Sequence, residues 1–213
     1  MVHIETLVVS LFDSNCFVIR HEDQDKALVV DPGDDAPQII EYLRTNGLTV
    51  AAHLITHGHV DHVSALADLV AAFPAPVAMH PADARWAFTE RAAFPPYYDA
   101  PRAPPRIERE LAEGQEWTDI GLTYRIIETP GHSPGGVAFY FPAEKMLFGG
   151  DTLFRGAIGR SDLPGARPAD LAASLKRLLT LPDDVTVYCG HGPETTIGAE
   201  RRHNPFLQSF DWA

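Results

Sequence analysis

The chain encodes a mixed α/β protein built in layers, an expectation that rests on three observations. Short apolar runs rich in β-branched residues are each followed by stretches of helical spacing. The same theme repeats in the second half of the chain. At 213 residues the chain is long enough for a sizeable core. It has no linker long enough to separate two units, which predicts a single domain over 1–213.

Residues 4–10 and 16–20 read as short strands and 27–30 as a third, ending at Asp31, Pro32 and Gly33. Helical spacing follows over 37–45 (Ile39, Ile40, Leu43), with acids near its start and Gly47 as its stop. A strand over 52–55, a polar loop and a helix over 63–73, rich in Leu66, Leu69 and Val70, come next. Residues 77–80 form a short strand, and Pro81 opens another helix through Phe88. The proline-rich segment 94–106, with Tyr97 and Tyr98, is incompatible with regular structure. A loop of that length is either a rigid surface connection or a wall over a site. Strands over 122–127, 137–141 and 146–148 follow, then a helix over 168–179, a strand over 185–189 and a last helix near 194–202.

The formal net charge of −12 argues against nucleic-acid or anionic-membrane partners, since either needs a basic face. It also means that an anionic substrate must be attracted locally. No stretch reaches transmembrane length, and the opening residues lack the basic start and small-residue cleavage site of a signal peptide. A cytoplasmic protein is the expectation. The two cysteines, Cys16 and Cys189, sit in apolar strand-like contexts and read as buried packing thiols.

The chemistry concentrates in Thr56-His57-Gly58-His59-Val60-Asp61-His62, between an apolar stretch and a helical one. Imidazole and carboxylate are the ligands that zinc and ferrous iron use when a site must also bind water. On an extended loop His57 and His59 point the same way, and the next turn offers Asp61 and His62 to a different point. His132, Asp151 and His191 each stand at a strand end beside glycines, which let the backbone come close to a buried ion. Of the ten histidines, His3, His21, His53, His80 and His203 carry no motif and read as structural or surface residues.

This ordered set, His-x-His-x-Asp-His followed by His132, Asp151 and His191, resembles the metallo-β-lactamase fold superfamily over residues 4–206. The tail Gly190-His191-Gly192-Pro193-Glu194-Thr195-Thr196-Ile197-Gly198-Ala199-Glu200-Arg201, ending Asn204-Pro205-Phe206-Leu207, is similar to its type II glyoxalase branch, the hydroxyacylglutathione hydrolase-like proteins. So is Gly159-Arg160-Ser161-Asp162-Leu163-Pro164-Gly165, and the likeness is to the short single-domain bacterial members. The resemblance implies a four-layer αββα sandwich, two mixed sheets flanked by helices, with the metals at one edge between the sheets. It places His57, His59 and His132 on one metal and Asp61, His62 and His191 on a second, with Asp151 bridging. Two divalent ions are implied, zinc, or iron or manganese in its place.

The implied activity is cleavage of small-molecule thioesters, S-lactoylglutathione first, by attack of a metal-bridging hydroxide, with Asp61 and Asp151 as the catalytic carboxylates. No serine or cysteine nucleophile is required. Asp31 and Thr56 are expected to fix the histidine rings from behind. Arg160 is expected to bind a substrate carboxylate, an ion pair with Asp162 being the alternative. Pro193 stands where the family has a glutathione-pocket tyrosine, and the helical extension of two-domain members is absent from these residues, implying a shortened pocket.

The main rival is a persulfide dioxygenase, which shares the fold and uses one iron at the equivalents of His57, His132 and Asp151. The tail around Thr195-Thr196-Ile197 favours the hydrolase. The common zinc β-lactamases lack an equivalent of His62 and carry cysteine where Asp151 stands. Lactone or phosphodiester hydrolysis would suit the same metals. A non-catalytic relative would have lost a ligand, and none is lost here.

Overall fold

The computed structural model describes residues 1–208, so the last five of the expected 1–213 domain lie outside the described residues. The first half runs β1 (Val2–Val9), β2 (Ser14–His21), β3 (Lys26–Val30), α1 (Ala36–Thr45), β4 (Thr49–Leu54), α2 (Val60–Val63), α3 (Leu66–Ala72), β5 (Val77–Met79), α4 (Pro81–Ala84) and β6 (Arg109–Glu110). The second runs β7 (Glu116–Asp119), β8 (Leu122–Glu128), β9 (Val137–Phe141), β10 (Met146–Gly150), β11 (Leu153–Phe154), β12 (Ala157–Ile158), α5 (Pro168–Leu178), β13 (Thr186–Cys189), β14 (Thr195–Thr196), α6 (Ile197–His203) and α7 (Pro205–Gln208).

Two six-stranded sheets result, ordered β1-β2-β3-β4-β5-β6 and β14-β13-β10-β9-β8-β7, with β11 and β12 as a separate hairpin. Both are mixed. In the first, β1 to β3 are antiparallel and β3 to β6 parallel. In the second, only β10 and β13 run parallel.

The period-2 alternation of strands explains the layering. Phe17, Ile19, Leu28 and Val30 face Tyr124, Ile126, Phe139 and Phe148 between the sheets. Their neighbours Cys16, Val18, Ala27 and Val29 point outward, where Ile39 and Leu43 of α1 and Leu69 of α3 cover them. On the far side Leu147 and Val187 pack under Leu171, Leu175 and Leu178 of α5, spaced along one helix face. Each of these leucines is almost fully buried, worth about 1.5–3 kcal/mol apiece. Strands buried on both faces explain the near-continuous apolar runs. The result is the four-layer αββα sandwich. Among the described residues no helix is long and apolar enough to cross a membrane.

Several elements depart from their expected extents. The helix expected over 63–73 breaks into α2 and α3. The Ser64 and Ala65 amides donate to the Gly33 and Pro32 carbonyls (2.9 and 3.1 Å), tying the break to the loop after β3. The helix expected from Pro81 to Phe88 is one turn, continued by irregular turns. The last helix starts at Ile197 rather than at 194, because Thr195 and Thr196 pair with β13 instead. The Thr196 hydroxyl then caps α6 by accepting from the Ala199 amide (3.1 Å). Strands β6, β11 and β12, two residues each, are too short to show periodicity, and β7 (Glu116–Asp119) also lies outside the expected strands.

One polar knot joins the sheets. Arg109 of β6 donates two hydrogen bonds to Asp119 of β7 (2.6 and 2.9 Å), and the Tyr124 hydroxyl donates a third (2.8 Å). Burial pushes the Asp119 carboxyl up, but these donors outweigh it and hold it below the ordinary range. A depressed carboxylate contributes stability above its unfolded pKa, and that contribution disappears as pH falls through the folded value. Asp119→Asn is therefore expected to be destabilised by about 1.5–3 kcal/mol at neutral pH. In urea titrations the deficit against the unaltered protein should shrink below about pH 4. A deficit unchanged at acid pH would show that packing, not charge, is lost.

Candidate metal centre

The strand ends that carry the expected ligands meet at one edge of the sandwich. His57, His59, Asp61 and His62 follow β4, His132 follows β8, Asp151 follows β10 and His191 follows β13. They form two clusters. His57, His59 and His132 make one, and Asp61, His62 and His191 the other, with the ligand atoms of each within 4.8 Å of one another. His59 Nδ1 and His132 Nε2 are 2.8 Å apart, and His62 Nε2 and His191 Nε2 are 3.3 Å apart. Asp151 lies between the clusters. Its Oδ2 is 3.4 Å from His132 Nε2 and 3.4 Å from His191 Nε2, and its Oδ1 is 3.5 Å from His62 Nε2.

Two atoms test whether this arrangement fits metal. His57 Nε2 and Asp151 Oδ1 are buried without any hydrogen-bond partner. Buried polar atoms are normally satisfied, and these two point among lone pairs that a cation would gather. The donor set is mixed imidazole and carboxylate, which suits zinc, iron or manganese.

Four of the five rings are fixed from behind, so that Nε2 faces inward. His57 Nδ1 donates to the Thr56 hydroxyl (3.0 Å), which in turn donates to Asp31 Oδ2 (2.5 Å). His62 Nδ1 donates to the same carboxylate oxygen (3.1 Å). The Asp31 Oδ1 accepts from the Thr56 amide (2.7 Å), so Asp31 is satisfied without an ion. His132 Nδ1 donates to the Arg160 carbonyl (2.8 Å) and His191 Nδ1 to the Phe12 carbonyl (3.0 Å). Such outer partners set tautomer and ring orientation.

Without metal, the electrostatics of the clusters differ. Burial, reinforced by His62, holds His57 well below the ordinary imidazole value, and burial with His132 lowers His59 to about 3. Both are neutral, as a metal ligand must be. At His62 burial also works against charge, but Asp151, Asp61 and Asp31 outweigh it and raise it to about 9. Burial is likewise outweighed at His191, raised to about 11 by Asp151 and Asp61. Asp151 is held well below its usual value by His62 and His191, against the opposing effect of burial.

Close approach at β13 depends on Gly190. A Cβ there would stand 2.1 Å from Asp151 Oδ1 and 3.0 Å from His62 Cε1. No side chain fits between the strand and the carboxylate.

A cleft of about 460 Å³ opens onto the clusters, walled by Phe12, Trp86, Phe94, Phe154, Ile158 and Leu163. The proline-rich segment 94–106 contributes one wall. Phe94 and Tyr98 pack on Phe12 (ring centroids 5.6 and 5.5 Å), and the Tyr98 hydroxyl accepts from the Leu11 amide (2.8 Å). Arg160 lines the same cleft, but its exposed guanidinium donates to both Asp162 oxygens (2.9 and 3.0 Å). Arg91 also lines it, with no ion-pair partner among the described residues.

The sequence reading missed Arg91, the Phe12 carbonyl and the buried carboxylate of Asp83. Arg91 and Phe12 sit in segments without a motif, and a backbone carbonyl carries no residue signature. Asp83 had only the weak signal of an acid just after the proline that opens a helix.

The sequence profile of the Metallo-beta-lactamase superfamily matches residues 9–191. The Haemophilus influenzae protein named hydroxyacylglutathione hydrolase GloC is 35% identical over 219 residues, spanning 97% of this chain and 99% of its own length. Among solved structures, the BLEG-1 B3 metallo-beta-lactamase superposes with a TM-score of 0.91 at 35% identity, covering 97% of this chain and all (100%) of that one. The di-iron-bound form of TTHA1623 superposes with a TM-score of 0.86 at 42% identity, covering 95% of this chain and 100% of that one.

Proposed function

Since the chain belongs to the metallo-beta-lactamase superfamily, we propose that it is a binuclear metal-dependent thioesterase acting on hydroxyacylglutathione substrates of the S-lactoylglutathione type. The observation that carries the binuclear reading is the convergence of two clusters on Asp151, with His57 Nε2 and Asp151 Oδ1 buried and unpartnered. The near full-length likeness to the Haemophilus influenzae hydrolase supports the choice of thioester. Zinc is the ion proposed, with iron next, since the TTHA1623 structure holds two irons.

Bound there, two divalent ions would supply hydroxide at neutral pH and draw charge from a carbonyl oxygen. The chain's own residues do the rest. Asp151 spans both clusters and fixes their separation. Asp61 lines the cleft, with Oδ2 3.3 Å from His191 Nε2, and is placed to orient the attacking oxygen and hold its proton. Phe12, Trp86 and Phe94 shield the reacting thioester from bulk water.

The test is turnover of S-lactoylglutathione by protein loaded with metal, run beside a β-lactam and beside glutathione persulfide with oxygen uptake recorded. Thioester hydrolysis without oxygen consumption is expected. The likeness to BLEG-1 makes β-lactam hydrolysis the second reading. Oxygen uptake with persulfide, and no thioester cleavage, would overturn the proposal in favour of a mononuclear-iron dioxygenase.

Arg160 and Arg91 are the cations placed to attract a glutathione carboxylate against the chain's net charge of −12. Arg160→Ala keeps the carbonyl that holds His132, so it should raise KM for a glutathione thioester while kcat stays within about threefold. Arg91→Ala should have the same signature and a larger effect, because no aspartate competes for its guanidinium. Neither should alter turnover of a neutral thioester. Equal losses on charged and neutral substrates would show that these arginines hold loops instead.

A further inference from the structure

One buried carboxylate outside the ligand set joins the two loops of the three-histidine cluster. Asp83 of α4 is fully buried. Its Oδ2 accepts from the Gly58 amide (2.8 Å) and the Ser133 hydroxyl (2.6 Å). Its Oδ1 accepts from the Gly135 amide (2.6 Å) and the Trp86 indole (3.2 Å). Gly58 stands between His57 and His59, and Ser133 follows His132. A Cβ on Gly135 would fall 2.9 Å from Asp83 Oδ1, so the loop reaches the carboxylate because it has none. A carboxylate offers about four lone-pair sites, and here four donors meet them. Charged acceptors make the stronger hydrogen bonds, and all four of these donors are uncharged groups.

The other cluster is held elsewhere. The Ser14 hydroxyl donates to the Asp61 carbonyl (2.6 Å). Asn15 donates through Nδ2 to the Cys189 and Gly192 carbonyls (2.9 and 2.8 Å), and through its amide to the Gly190 carbonyl (2.7 Å). These bonds grip the segment carrying His191 from both sides. Asp83 makes none of them.

The geometry points to two separate latches: Asp83 is a positioning residue for the three-histidine cluster, Asn15 one for the Asp61-His62-His191 cluster, and each governs occupancy of its own ion. The inference rests on the binuclear reading proposed above. Its physical basis is that each cluster draws ligands from loops belonging to different sheets. A contact that crosses from one sheet's side to a ligand loop of the other holds the two sets of ligand atoms together.

The experiment titrates metal-loaded protein with a chelator and measures bound metal by elemental analysis, with anomalous-scattering maps locating the ion that leaves first. Asp83→Asn keeps the size of the side chain but, whichever way the amide is flipped, turns its NH2 toward the Gly58 or the Gly135 backbone N–H, which can only donate. It should lose the three-histidine ion at about 10–100-fold lower chelator, keeping the other. Asn15→Ala should lose the opposite ion first. Both ions leaving Asp83→Asn together, or at the chelator concentration of the unaltered protein, would overturn the latch. Should Asp83→Asn fail to fold, Ser133→Ala removes one of its bonds and decides the matter: a smaller shift in the same ion supports the latch, and no preference between ions overturns it. An unaltered protein that binds one ion per chain would instead sink the binuclear reading.

Discussion

Asp151→Ala should abolish nearly all hydrolysis and release metal from both clusters. Loss of an outer partner costs about 10–100-fold in affinity or activity, and a ligand shared by two ions should cost more. Asp151 is within 3.5 Å of ring nitrogens from both clusters, so no other side chain can replace it. Its removal also leaves imidazoles that the buried negative charge now supports, so His62 and His191 should bind protons less readily. His203, in the last turn of α6 and exposed, serves as the control, and His203→Ala should change kcat/KM little. Retention of two ions by Asp151→Ala, measured by elemental analysis, would remove it from the bridging position.

Gly190→Ala should be nearly as damaging without replacing any candidate ligand. The added methyl would require about an ångström of displacement from Asp151 Oδ1, 2.1 Å from the Cβ position, in an interior too close-packed to yield. Metal affinity should fall by at least about 100-fold, the upper end for outer-partner changes, because the methyl acts directly on the shared carboxylate. Gly149→Ala is the matched control. Its nearest neighbour would be Val187 Cγ1 at 3.5 Å, an ordinary contact, so metal content should hold. Equal losses in both variants would assign the effect to the backbone of β10 and β13 rather than to the carboxylate.

The candidate ligands were legible from local features: four fall within the run from His57 to His62, and His132, Asp151 and His191 each stand at a strand end beside glycine. The mixed α/β layering was legible from short apolar runs followed by helical spacing, such as Leu171, Leu175 and Leu178, whereas Cys16 to Ile19 are all apolar and only the structure sorts them onto two faces. What was missed is nonlocal or too short. Nothing in residues 63–73 tells of the Pro32 and Gly33 carbonyls that split the helix, and two-residue strands have no period to read.

By itself, then, the sequence determined which side chains are candidates for metal chemistry and which segments are apolar, since side-chain type and short-range pattern are properties of the chain alone. The tertiary structure decided which nitrogen faces inward in four of the five rings, through Thr56, Asp31, Arg160 and Phe12. It also decided that Phe94 walls the cleft and that Asp83 joins the loop carrying His59 to the loop carrying His132. Such contacts join residues far apart in the chain, and a hydrogen bond between them leaves no mark on the residues that flank either end.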